Sequence, residues 1–97
     1  MRMMLRARLD TQVSNELLAD GTMAQVMQSL LEQFKPEAAY FHPYDGGRTC
    51  TLVFDMQDTS QLPALTETFF QKFGAEIEIC PVMNVEDMQK GLAALRG

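Results

Sequence analysis

The sequence has no run of lysine and arginine, no long apolar stretch, no closely spaced cysteines and only one histidine. Each absence closes a class of function. A protein that grips a phosphate backbone needs a basic stripe to release counterions. This chain sets 8 Lys and Arg against 13 Asp and Glu, a formal net charge of −5. Arg2, Arg6 and Arg8 cluster, but acids elsewhere outnumber them, so neither nucleic acid nor an anionic membrane surface is expected as a partner. Nothing approaches the ~20 apolar residues of a membrane span. The opening MRMMLRARLD places arginines inside its apolar run, where a secretory leader has an unbroken apolar core. Cys50 and Cys80 stand far apart, without the spacing of a metal site. No metal and no cofactor is expected, and a reducing cytoplasm is the expected location.

What remains is enough for one core. Residues 1–97 form a single domain by length, and a chain of this size buries roughly 60–65% of its unfolded surface. Little interior is left for a deep pocket, so a sizeable site calls for a second subunit.

Hydrophobic periodicity supplies the elements. Met3, Leu5, Ala7 and Leu9 alternate with Met4, Arg6, Arg8 and Asp10, the period of a half-buried strand. TQVSNELLADGT is less regular and reads as a short helical turn or loop. From Thr22, the residues Met23, Val26, Met27, Leu30 and Phe34 mark one helical face that ends at Lys35-Pro36. AAYFHP and RTCTLVFD follow as strands around YDGG, whose Asp45, Gly46 and Gly47 suit a tight hairpin turn. A second helix carries Leu62, Leu65, Phe69 and Phe73, is capped by Asp58 or Thr59, and stops at Gly74. AEIEICPVM alternates again. NVEDMQKGLAALRG is a terminal helix with Asn84 as cap and Met88, Leu92 and Leu95 as its buried stripe.

The order β-α-β-β-α-β plus a C-terminal helix predicts an α+β, ferredoxin-like sandwich with one four-stranded antiparallel sheet. Right-handed crossovers give the strand order 4-1-3-2. Strand parity then sorts the side chains. Met3, Leu5, Ala7, Cys50, Leu52, Phe54, Ile77 and Ile79 belong under the helices. Met4, Arg6, Arg8, Thr49, Thr51, Val53, Glu76, Glu78, Tyr40 and His42 belong on the open face. Arg6 and Arg8 should face Glu76 and Glu78 across neighbouring strands, either as a solvated, salt-bridged surface or as the lining of a cavity when two sheets pack together. Cys50 and Cys80 fall on opposite faces, which argues against a disulfide between them.

His42 is the one group suited to proton transfer near neutral pH. No serine or cysteine stands near it in sequence to complete a nucleophilic triad, and only Asp45 is near enough to share a metal, so a structural role competes with a catalytic one. Met3, Met23, Met27 and Met88 occupy periodic, core-facing positions, where methionine fills gaps. There is no CxxC of the copper-carrying ferredoxin-like kind. The open face also lacks the aromatics with which RNA-recognition modules stack bases on their central strands.

As a set, the phrases MRMML, DGT at 20–22, KPEAAYF, GGRT, FDMQDTSQLPAL and PVMNVEDMQKGL resemble a group of small, stand-alone bacterial proteins of uncharacterised function. Some members carry a pantothenate-synthetase label. That enzyme is a much longer, nucleotide-binding type, and its phosphate-binding signature is absent here. More distantly, the architecture is similar to the dimeric α+β barrel superfamily, in which two ferredoxin-like sheets pack face to face around small-molecule sites. The resemblance implies a homodimer. No superfamily catalytic motif maps onto the chain, and His42 and Asp45 sit around a turn rather than as a catalytic pair. The expectation is a homodimer that binds a small polar or aromatic molecule between its sheets, with or without turnover. His42 would be the proton carrier, with Tyr40, Arg6, Arg8, Glu76 and Glu78 around the ligand. The competing expectation is a non-enzymatic assembly module whose open face serves only dimerisation.

Overall fold

Strand β1, Arg2–Arg8, alternates buried and half-buried residues along its whole length, and the rest of the sheet is built outward from it. The structure, a computed structural model, describes residues 1–97. Antiparallel to β1 run β3 (Gly47–Asp55) on one side and β4 (Glu76–Pro81) on the other, with β2 (Ala38–Tyr44) beyond β3. The order is β2-β3-β1-β4, the expected 4-1-3-2 read from the other edge. The fold is α+β and ferredoxin-like. Each outer strand contains a proline, Pro43 in β2 and Pro81 in β4.

The register follows parity. Leu5 stands between Leu52 and Ile79, and Ala7 between Cys50 and Ile77. These residues meet helices α2 (Met23–Phe34) and α3 (Leu62–Phe73) in one core. Phe34 links the layers, its ring edge-on to Phe54 at 4.9 Å and to Phe69 at 5.6 Å between centroids, the geometry aromatic quadrupoles favour. Helix α2 ends where Lys35 turns left-handed, at φ 48°, ahead of Pro36, and α3 ends at left-handed Gly74. Asp58 and Gln61 form a reciprocal capping box at the 3₁₀ turn Thr59–Gln61 that opens α3.

Two expectations need correction. The segment after β1 is a regular helix, α1 (Thr11–Ala19), rather than a turn or loop. Asp10 caps it by accepting from the Val13 N–H at 3.0 Å. Its inward contacts are few, because the residue it buries is Ser14, while Leu17 packs on the edge of the core. That composition hides a helix from a search for apolar periodicity.

The second correction concerns α4 (Val85–Ala94). Its cap is as expected, with Asn84 and Asp87 in a capping box. Its apolar stripe, however, is not buried: Met88, Leu92 and Leu95 are 42, 55 and 82% exposed, and so Met88 is not a core residue. The helix is held only at its start, where the Val82 N–H donates to Arg2 O at 3.1 Å and Arg2 Nη1 reaches Asp87 Oδ2 at 3.4 Å. The molecule measures 57 × 28 × 18 Å.

Candidate functional site on the open face of the sheet

Backbone register arranges the open face into two rows. Tyr40, Thr51, Arg6 and Glu78 are successive cross-strand partners, and His42, Thr49, Arg8 and Glu76 form the row beside them. Every residue expected at the site therefore lies on one face.

Arg6, Arg8, Glu76 and Glu78 line a shallow hollow of about 230 Å³, together with Tyr44 and Asp45. The Arg6 guanidinium lies over the Tyr44 ring, 4.3 Å from its centroid. The Arg6 Nε is buried and has no hydrogen-bond partner. Arg8 Nε donates to the Asp45 carbonyl at 3.1 Å. The ion pairs are loose: Arg8 to Glu76 is 3.5 Å and Arg6 to Glu78 is 3.9 Å, with both glutamate side chains about 80% exposed. Such pairs contribute little, since water screens them and two long side chains must be held still.

Two features of the hollow are invisible in the residue pattern. One is Tyr44. It shares the parity of Tyr40 and His42, but it enters the site only because β2 continues through Pro43 to Tyr44. The other is Gly47. Asp45 and Gly46 take the positive φ angles of the hairpin turn, 50° and 76°, and Gly47 does not. A Cβ on Gly47 would lie 2.9 Å from Arg8 Nε and 3.1 Å from Arg8 Cγ. Gly47 makes room for the arginine.

His42 and Tyr40 stand outside the hollow. His42 Nδ1 lies 3.1 Å from Pro43 O, and Nε2 lies 2.9 Å from Thr51 Oγ1. A carbonyl can only accept, so Nδ1 carries the hydrogen, and in the neutral ring Nε2 accepts from the Thr51 hydroxyl. Both nitrogens are engaged, and a reacting group would have to displace Thr51. The His42 ring sits edge-on to Tyr44 at 6.3 Å, at the rim of the hollow. Tyr40 is 65% exposed. No group of three or more His, Cys, Asp or Glu side chains is placed to hold a metal ion, and no helix is long and apolar enough to cross a membrane.

The other side of the sheet has a different concavity. Beyond α1 and α2, next to β2, lies an apolar groove of about 780 Å³ lined by Leu9, Leu18, Met23, Met27, Phe41 and Pro43. Phe41 belongs to the helix-side row with Cys50 and Ala7, yet it is 54% exposed because no helix covers it. Cys50, at the groove floor, is buried, and loss of solvation pushes its thiol up to about 11. Cys80, on the open face beside Met4, is exposed, and both thiols are free.

A family model described as a domain of unknown function, DUF3303, matches residues 1–96. The chain belongs to that family. No curated protein matches it. Among solved structures, the chain resembles the de novo designed protein Ferredog-Diesel at 9% identity and a TM-score of 0.48, covering 84% of this chain and 85% of that one. It also resembles a formyltetrahydrofolate deformylase from Pseudomonas putida KT2440 at 11% identity and a TM-score of 0.49, covering 84% of this chain. There the chain spans only 28% of the deformylase's length.

Proposed function

We propose that the chain binds a small polar or aromatic molecule bearing an anionic group, in a cavity formed when the open sheet faces of two copies meet. The observation that carries this reading is Arg6: a guanidinium stacked on Tyr44, with a buried Nε that has no partner, inside a hollow shared with Arg8. A buried, unsatisfied donor is costly and invites an acceptor. Carboxylates and similar anions fit the planar fork of arginine. Glu76 and Glu78, loosely paired and exposed, are the counterions such a ligand would displace or hydrogen-bond beside. His42 and Tyr40 would border the ligand, and His42 is the group to carry a proton if turnover follows binding. A second copy supplies what the hollow lacks, which is enclosure: ligand sites usually bury most of their ligand. A cytoplasmic location belongs to the same proposal and is supported by the two free thiols.

Native mass spectrometry of the protein purified from its own source tests this directly. The expected result is a dimer with retained extra mass, which is lost in Arg6→Gln. A monomer, or a dimer whose retained mass is indifferent to Arg6→Gln, overturns the proposal.

A further inference from the structure

The apolar stripe of α4 and the apolar groove beside β2 are two unfinished surfaces on one chain. Val85, Met88, Leu92 and Leu95 recur at helical spacing, and all four are exposed. At about 1.5 Å per residue the stripe is roughly 15 Å long. A free amphipathic helix of 10 residues has little stability of its own in water and depends on packing of its apolar face. The groove presents the matching chemistry, with Leu18, Met23, Met27 and Phe41 around about 780 Å³.

One copy cannot bring the two together as it is folded. Helix α4 starts beside Arg2, at the beginning of β1 and on the β4 edge of the sheet. The groove lies at the other end of β1, by Leu9 and Thr11, on the β2 edge. The stripe and the groove thus sit at opposite ends of β1 and at opposite edges of the sheet. Each surface also carries one charge without an opposite partner. Arg48 borders the groove and bonds Ser14 Oγ at 2.7 Å and Asn15 Oδ1 at 2.9 Å, with no carboxylate partner. Glu86 flanks the α4 stripe and has no cationic partner.

We infer that α4 is an exchanged arm: the stripe Val85, Met88, Leu92 and Leu95 of one copy docks in the groove formed by Leu18, Met23, Met27 and Phe41 of a second copy. This rests on the homodimer proposed above and adds to it a contact outside the sheet face. A docked arm hides the exposed apolar surface of both elements and brings Glu86 towards Arg48. It also clamps the dimer around the open-face cavity without lending that cavity a side chain.

Cross-linking decides it. Two proteins are made in a Cys80→Ser background, one with Phe41→Cys and the other with Leu92→Cys, then mixed under mild oxidation while sedimentation reports the subunit number. Both positions are exposed, so neither change disturbs the core, and the buried Cys50 stays out of the reaction. The expected result is a dimer with a disulfide between positions 41 and 92 that forms only in the mixture. A dimer without that cross-link overturns the docked arm, leaves face-to-face pairing standing, and gives the groove to another occupant. A monomer overturns both. As a second measurement, Leu92→Glu should weaken dimerisation about tenfold or more, the effect of losing one buried leucine. An unchanged dissociation constant would also overturn the arm.

Discussion

Arg6 lies over Tyr44, its guanidinium carbon 4.3 Å from the ring centroid. The contact joins the central strand β1 to the last residue of β2 across β3, so it pins the hairpin end to the middle of the sheet. Both side chains are partly exposed, which sets the contact at about 0.5–1 kcal/mol. Tyr44→Leu should lower stability by that amount in urea unfolding and raise the mobility of Arg6. No loss of stability would show that the stacking is incidental.

Gly47 tests whether Arg8 is positioned by its surroundings. In Gly47→Ala the new methyl meets the Arg8 side chain at 2.9–3.1 Å, and a flexible side chain can move away. The fold should survive with a loss of about 1 kcal/mol, the low end of the range for an added methyl. The bond from Arg8 Nε to the Asp45 carbonyl should break, seen as a shift of the Arg8 Nε–Hε signal in a nitrogen-proton NMR spectrum. An unmoved signal would mean that the space beside Gly47 is not needed.

Much of this architecture is readable from the chain, and the misses have physical causes. Strict alternation in β1, β3 and β4 fixes which side chains share a face, and that alone assembles Arg6, Arg8, Glu76 and Glu78. Tyr44 escaped because a proline at position 43 looks like the end of a strand, although an edge strand tolerates it. Helix α1 escaped because Ser14 holds its buried position, where a search for periodicity looks for leucine. For α4 the periodicity predicts the helix but not what its stripe packs against. A stripe of Met88, Leu92 and Leu95 says that a helix face needs a partner and leaves open which chain supplies it. The groove at Phe41 and the space at Gly47 are tertiary, and no local pattern encodes them.

Ser14 has no exposed surface, and its hydroxyl donates to the Thr11 carbonyl at 3.2 Å while accepting from Arg48 Nη1 at 2.7 Å. It is the polar link between α1 and the start of β3. Ser14→Ala should cost about 1.5–3 kcal/mol, the range for a hydrogen bond to a charged group. Arg48→Met should cost less in the Ser14→Ala background than in the parent, because the Arg48–Ser14 bond is then already gone and only the bond to Asn15 is lost. Additive losses in unfolding experiments would show that the two residues are not coupled.

Cys50 gives the protein an alkaline limit. Burial raises its thiol from 9.0 to about 11, so between those values the folded chain keeps a proton that the unfolded chain gives up. The stability linked to this group is complete below about pH 9 and declines as pH rises towards about 11. Cys50→Ala should flatten that part of the stability curve. In the folded parent at pH 8, a thiol reagent should leave Cys50 unmodified until denaturant is added. Rapid labelling without denaturant would show that the core over β3 opens.

The two prolines of the outer strands have a consequence for assembly. An edge strand offers unpaired backbone groups to any extended segment that drifts past, and long uninterrupted edges template aggregation. Pro43 and Pro81 each remove a backbone donor from an outer strand. Continuous β-augmentation is thus discouraged at both margins. Recognition between copies is left to side chains, which can discriminate one partner from another in a way that a bare backbone ladder cannot.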